Sequence, residues 1–349
     1  VPLLARTVLA PLAVDVSAGA LARLPELLVD TRISSGGKVA VALGPGIGAE
    51  IAEKLDLPDA IIHTIQPGTL DSAHHLAALL RDDRVDALVG IGGGRLIDTA
   101  KYTATQLGLP MVSVATSLAH DGIASPTASL TREGVSISYG VHTPLAVLAD
   151  LDYIRRAPAS QLQSGVGDAL TNLSAVADWE LSHQVNGESV DGLAAAVARS
   201  GAEAVLRHPG TIADDAFLTT LANALVQGGL AMGMAGSSRP CSGGCHEISH
   251  ALDVLHPGLA QHGQQGALGA LFCTWVRGDK VLFAELAAAM KRHGLPRTAS
   301  ELGLSTDELS IAIEYAPRTR PGRYTILEHR ELDSVAISRH LAEMMHELD

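Results

Sequence analysis

Aromatic side chains are scarce: Phe, Tyr and Trp make up 3% of the 349 residues. A core with so few rings must close through Ala, Leu, Val and Gly, which suits closely packed helices and α/β layers. Cysteine is rarer still, limited to Cys241, Cys245 and Cys273. Three cysteines make no disulfide scaffold, and the Cys241–Cys245 spacing is not the two-residue gap of a zinc knuckle. They are read as reduced thiols. Positive charge is also in short supply, with 25 Lys and Arg against 38 Asp and Glu and a net charge of -13. That balance argues against nucleic acid as a partner, because the phosphates would be repelled. It leaves room for an anionic small molecule held by a local basic patch. No apolar run reaches the length of a bilayer span, and the opening VPLLARTVLAPLAVDV lacks the plan of a signal peptide. The expectation is a cytoplasmic protein without membrane insertion.

A chain this long exceeds what one core usually supports, and its pattern changes near Asp150. Residues 1–150 alternate short β-branched runs with amphipathic stretches: strands at 39–43, 60–64, 87–91 and 111–116, with helices between them. Such alternation predicts parallel strands with helical crossovers. From 151 to 349 helical periodicity takes over, with helices expected at 164–184, 188–207, 214–235, 244–255, 263–277, 279–293, 306–316 and 333–347. Pro-Gly and Gly-x-Pro breaks separate several of them. The fold class is therefore an α/β domain with a parallel sheet followed by an all-α domain, and a ligand site is expected in a cleft shared by the two.

The run Val89-Gly90-Ile91-Gly92-Gly93-Gly94-Arg95-Leu96-Ile97-Asp98 places three glycines between a buried strand and a helix. Glycines there let backbone N–H groups approach a pyrophosphate at the positive end of the helix. The same run could be no more than a tight turn. Its companions sharpen the reading: Asp98 and Lys101 follow at fixed spacing, and the next strand ends in Ala115-Thr116-Ser117. Neither a G-x-G-x-x-G fingerprint nor a Walker A motif is present. Gly44 to Gly48 is a further glycine loop after a strand, with no acid in it.

Metal binding needs imidazoles and carboxylates with an open position left for substrate. Asp168 stands in Gly165-Val166-Gly167-Asp168, read as the start of a long helix. His246 and His250 are four apart on one helical face. His262 follows in Gln261-His262-Gly263-Gln264-Gln265, at an expected helix start. With fifteen histidines in the chain, a lone His-x-x-x-His pair is weak. The spacing by itself leaves open whether His246 or His250 is the ligand. His74, His75, His183 and His256 are read as bystanders.

The order of these motifs resembles the superfamily of iron-containing alcohol dehydrogenases, glycerol dehydrogenase and dehydroquinate synthase. Thr116 to Pro126, Ser238-Arg239-Pro240, Asp178-Trp179 and Arg323-Tyr324-Thr325-Ile326-Leu327 are similar, within it, to the sn-glycerol-1-phosphate dehydrogenase family. The resemblance covers roughly residues 38 to 330. It implies a dehydroquinate synthase-like fold, with an NAD(P)-binding domain at 1–150 and a metal- and substrate-binding domain at 151–349. It implies NAD(P)H held by Gly92, Gly93, Gly94, Asp98, Lys101, Thr116, Ser117 and Ser125. It also implies one divalent metal on Asp168, His246 and His262, with zinc the first choice and nickel, iron or manganese also compatible.

The implied reaction interconverts dihydroxyacetone phosphate and sn-glycerol 1-phosphate or a related phosphorylated polyol. In that scheme the metal polarises the ketone, His250 relays a proton, and Asp121 and Ser125 orient substrate hydroxyls. Arg239 is the candidate cation for the phosphate, with a structural ion pair as its equal alternative. Two alternatives are an unphosphorylated polyol dehydrogenase and a cyclising lyase like dehydroquinate synthase. The family's habits further imply a homodimer or larger homo-oligomer. Two departures bear on substrate: Cys245 and Gln264 stand where the family has carboxylates, and Glu247 is the candidate replacement for the first.

Overall fold

The computed structural model describes residues 10–348. The stretch 1–9, part of the run read for a leader, lies outside the described residues. Two units divide the chain: one runs to Leu118 and includes Gly122–Ala157, the other takes Ala119–Asp121 and everything from Pro158.

The first unit carries β1 (Ala13–Ser17), β2 (Lys38–Leu43), β3 (Ile61–Thr64), β4 (Val85–Gly92), β5 (Met111–Ala115), β6 (Thr127–Arg132), β7 (Val135–Gly140) and β8 (Ala146–Asp150). Six of them form one parallel sheet in the order β1-β8-β5-β4-β2-β3. Ala87, Leu88, Val89 and Ile91 of β4 are all buried, as expected where both faces of a parallel sheet are covered. The path runs outward from β2 to β3 and returns to β4 on the other side of β2, so the strand order reverses between β2 and β4. Ligand crevices of open α/β sheets lie at the carboxyl ends of strands flanking such a reversal. The glycine loops after β2 and β4 both stand there.

The four expected strands correspond to β2, β3, β4 and β5. Sequence reading did not foresee β1, β8 or the β6–β7 ribbon. Ala146–Asp150 is too short and alanine-rich to separate from helix by periodicity. The ribbon turns at Glu133 and Gly134, both with positive φ (52° and 82°), the pairing a tight hairpin requires.

The second unit is helical. Its main helices are Ala159–Asn186, Gly192–Arg207, Asp215–Ala235, Gly244–Leu255, His262–Arg277, Lys280–His293, Thr306–Tyr315 and Ser334–Leu348. The long helix begins after Pro158, earlier than the sequence implied, so Asp168 lies well inside it rather than at its start. Asp215–Ala235 is long and apolar enough by composition to cross a membrane, contrary to the expectation that no run reaches that length. Here 61% of its most apolar window is buried inside the protein, with Phe217, Leu218, Leu221 and Leu225 in the core.

Candidate active site

In the first unit, β4 passes through Gly92 and Gly93 into the helix Gly94–Leu107. A Cβ on Gly90 would lie 2.8 Å from Ala100 Cβ, and one on Gly92 2.8 Å from the Leu96 side chain. Those two glycines let the helix press against the strand. Gly93 serves differently: no side chain caps the helix there, leaving its first N–H groups to a ligand or solvent. Ser117 is 3% exposed, and its hydroxyl has no hydrogen-bond partner among the described residues. A Cβ on Gly93 would stand 3.2 Å from that oxygen. An uncapped helix start beside an orphaned buried hydroxyl fits a pyrophosphate. Thr116 donates its N–H to Gly92 O at 3.0 Å and ties the two strand ends together.

Asp98, Lys101 and Ser125, expected to touch cofactor, face inward instead. Lys101 is fully buried. Its ammonium meets Asp98 Oδ1 at 3.1 Å, Ser125 O at 3.2 Å and Thr127 O, while Asp98 Oδ2 accepts from Ser129 N. A buried charge needs such a full set of partners. The three residues brace the segment leading into β6 rather than presenting groups to a ligand.

In the second unit, Asp168, His246 and His262 form a cluster whose donor atoms all lie within 4.8 Å of one another. His246 Nε2 stands 3.7 Å from Asp168 Oδ1, and the His246 and His262 rings are 4.9 Å apart. Each donor is fixed from behind, as ligating groups commonly are. Asp121 N donates to Asp168 Oδ2 at 2.8 Å. Ser249 Oγ lies 3.1 Å from His262 Nδ1, and Cys245 Sγ 3.4 Å from His246 Nδ1. Both Nε2 atoms are thus left for a shared ion. One carboxylate oxygen and two imidazole nitrogens suit a divalent metal with a position open for substrate.

Helix contacts hold this geometry. Asp178 accepts from Gly244 N at 2.9 Å, from Ile326 N at 2.9 Å and from Arg277 Nη2 at 2.6 Å. It thereby anchors the start of the histidine-bearing helix. Gly269 lets that helix approach closely, since a Cβ there would be 2.6 Å from Cys245 O.

The electrostatics agree with one cation for the cluster. Burial raises the Asp168 pKa, but the bond from His246 and the charges of His262 and His246 bring it below the usual carboxylate value. Burial likewise opposes charge on His246, yet Cys245 and Asp168 raise it to about 9. His262 is pushed down to about 3 by burial and by His246. A metal ion bound there would displace the proton that His246 favours.

His250 falls outside the cluster of three. Its Nε2 lies 2.9 Å from Arg320 Nη2. Arginine can only donate, so His250 accepts there and carries its proton on Nδ1. Burial, followed by His262 and Arg320, lowers its pKa to about 2. Asp121 supports Asp168 through its backbone, while its carboxylate lies against Gly228 and Cys241.

Three further expectations are corrected by partners that sequence could not show. Arg239 is neutralised by Glu188, with Nε 2.7 Å from Oε1, and is not available to a phosphate. Glu247 faces Thr325, Glu328 and Asp178 rather than the metal cluster. Gln264 turns back to accept from Gln261 N at 3.2 Å and caps its own helix, so position 264 serves as a helix cap. All three cysteines are free and buried. His120 was overlooked: its charge acts on both Asp168 and His262. Its place beside Asp121, in a run already singled out, was the available signal.

Known proteins share this fold. Residues 15–158 match the family model described as iron-containing alcohol dehydrogenase. Solved structures with the same fold include a probable glycerol dehydrogenase from Sinorhizobium meliloti (TM-score 0.78, 21% identity, 99% of each chain covered). Another is glycerol dehydrogenase from Schizosaccharomyces pombe (TM-score 0.76, 22% identity, 97% of this chain and 90% of that one). Residues 15–158 thus resemble the iron-containing alcohol dehydrogenases, and the chain shares the fold of these solved structures.

Relatives named glycerol-1-phosphate dehydrogenase (NAD(P)+) are closer in sequence. That of Staphylothermus marinus is 36% identical over 341 residues, covering 95% of this chain and 96% of the relative. That of Thermococcus kodakarensis is 37% identical over 309 residues, covering 86% and 87%. The chain belongs to the glycerol-1-phosphate dehydrogenase family.

Proposed function

We propose that the protein reduces dihydroxyacetone phosphate to sn-glycerol 1-phosphate with NAD(P)H, using a divalent metal, zinc for preference. The observation that carries the reading is the Asp168–His246–His262 cluster, in a chain whose relatives bear that enzyme's name. When bound, the metal supplies Lewis-acid polarisation of a carbonyl and the nicotinamide supplies hydride.

The chain's own residues do the positioning. Ser249 and Cys245 orient the two imidazoles, and Asp121 holds the Asp168 carboxylate. His250, neutral and braced by Arg320, offers Nδ1–H to a substrate oxygen. Gly93 and Ser117 seat the pyrophosphate. Cytoplasmic residence completes the reading, supported by three cysteines that are buried and unpaired.

Metal analysis with a NADH- and NADPH-consumption assay tests it. Stoichiometric metal and turnover of dihydroxyacetone phosphate, lost on chelation and restored by metal, is the expected result. Turnover of dihydroxyacetone but not of its phosphate would establish an unphosphorylated polyol dehydrogenase instead.

A further inference from the structure

We propose that Arg320 and Arg323, with the Ser238 hydroxyl between them, form the site for the phosphate monoester of the substrate. The proposal rests on the phosphorylated-substrate reading above and names the residues that enforce it.

Both guanidinium groups converge on one hydroxyl: Arg323 Nη2 lies 3.0 Å from Ser238 Oγ and Arg320 Nη1 lies 3.4 Å from it. Arg323 is also held by Ser242 O, and Arg320 by His250 Nε2 at 2.9 Å. None of these partners is an anion. Among the described residues, neither arginine has a carboxylate in ion-pair contact, whereas Arg239 has Glu188 and Arg277 has Asp178. Acids outnumber bases 38 to 25 in this chain, so two adjacent arginines with no acid in contact, reached only from farther off by Glu247 and Glu188, are conspicuous.

The arrangement is costly without a ligand. Both side chains are half-buried. Burial, then the repulsion of Arg320 and Arg239, lowers the Arg323 pKa to about 10. A bound dianion would offset both the burial and the repulsion. Each guanidinium has five N–H donors, and the protein engages only some of them. Forked donors of this kind match phosphate oxygens, and a hydroxyl adds one more. The pair is also linked to the metal cluster, because Arg320 touches His250, whose ring is 5.9 Å from that of His262. Substrate phosphate and substrate carbonyl would then be gripped by adjoining parts of one helical unit.

Two measurements on the metal-loaded protein test this. The first is calorimetric titration with inorganic phosphate. The second is the preference, as a ratio of kcat/KM, for dihydroxyacetone phosphate over dihydroxyacetone. Wild type, Arg320→Met and Arg323→Met are compared, with Arg320→Lys and Arg323→Lys deciding by the same readings should the methionine variants fail to fold.

Each methionine variant is expected to weaken phosphate binding and to reduce the preference by about 10- to 100-fold, the loss typical of one charged hydrogen-bonding partner. The lysine variants should fall between, having charge without the fork. Phosphate affinity and preference that neither variant changes would overturn the anion site, even with full turnover of the phosphorylated ketone. Phosphate affinity lost in the variants, in an enzyme that turns over only the unphosphorylated ketone, would uphold the anion site and sink the proposed substrate.

Discussion

Gly167 and Gly263 meet where two helices cross, so tightly that a Cβ on Gly167 would overlap the carbonyl of Gly263. A Cβ on Gly263 would in turn overlap the carbonyl of Ser164. The next residue along from Gly167 is Asp168, and the one before Gly263 is His262. The crossing therefore sets the separation of two of the three clustered donors. Gly167→Ala should push the helices apart, cost roughly 1–3 kcal/mol of stability as overpacked cores do, and lower metal content. Denaturant unfolding and metal analysis on one preparation check this. Wild-type stability with wild-type metal content would mean the crossing is not what positions the donors.

Removing a donor differs from moving one. His262→Ala and Asp168→Asn should abolish metal retention and turnover while the helical unit still folds, read by circular dichroism and elemental analysis. Ser249→Ala keeps all three donors but frees His262 Nδ1, now 3.1 Å from Ser249 Oγ. Loss of such an orienting partner commonly weakens metal binding by about 10- to 100-fold. A Ser249→Ala protein with unaltered zinc affinity would show that the ring is oriented by packing alone.

These donors were legible in the sequence through the family resemblance, because spacing alone left His246 and His250 both open. His262 opens a helix, as its position after a loop implied, and Gly92–Gly94 join a strand to a helix as expected. What was not legible was direction. Glu247 adjoins His246 in sequence, but one helical step turns it about 100° away, toward Thr325 and Asp178. Arg239 stayed open between a phosphate and a structural ion pair because Glu188 lies 51 residues away in sequence. Lys101 kept its motif spacing yet points into the interior. Arg320 drew no notice, since a missing acidic partner is visible only in three dimensions.

The cradle makes a separate prediction. Gly93→Val places a branched side chain against Ser117 Oγ, which would stand only 3.2 Å from its Cβ. NADH binding, followed by fluorescence titration, should be abolished while metal content stays at the wild-type level. Tight NADH binding in this variant would remove Gly93 and Ser117 from the proposed pyrophosphate seat.

Glu247 offers a test that depends on pH rather than on ligands. It is fully buried, and burial followed by the charges of Glu328 and Asp178 raises its pKa from 4.5 to about 8. The fold thus prefers the protonated acid. Its contribution is fully present below pH 4.5 and is lost as pH rises through about 8. The difference amounts to a few kcal/mol, at roughly 1.4 kcal/mol for each tenfold change in proton affinity. Glu247→Gln keeps the neutral shape and an oxygen for the Thr325 hydroxyl, now 3.2 Å from Glu247 Oε2. The variant should gain stability relative to wild type as pH is raised from 5 to 8, because it has no proton to lose. Tm measured across that range decides the matter: parallel curves for the two proteins would mean that Glu247 titrates as an ordinary carboxylate.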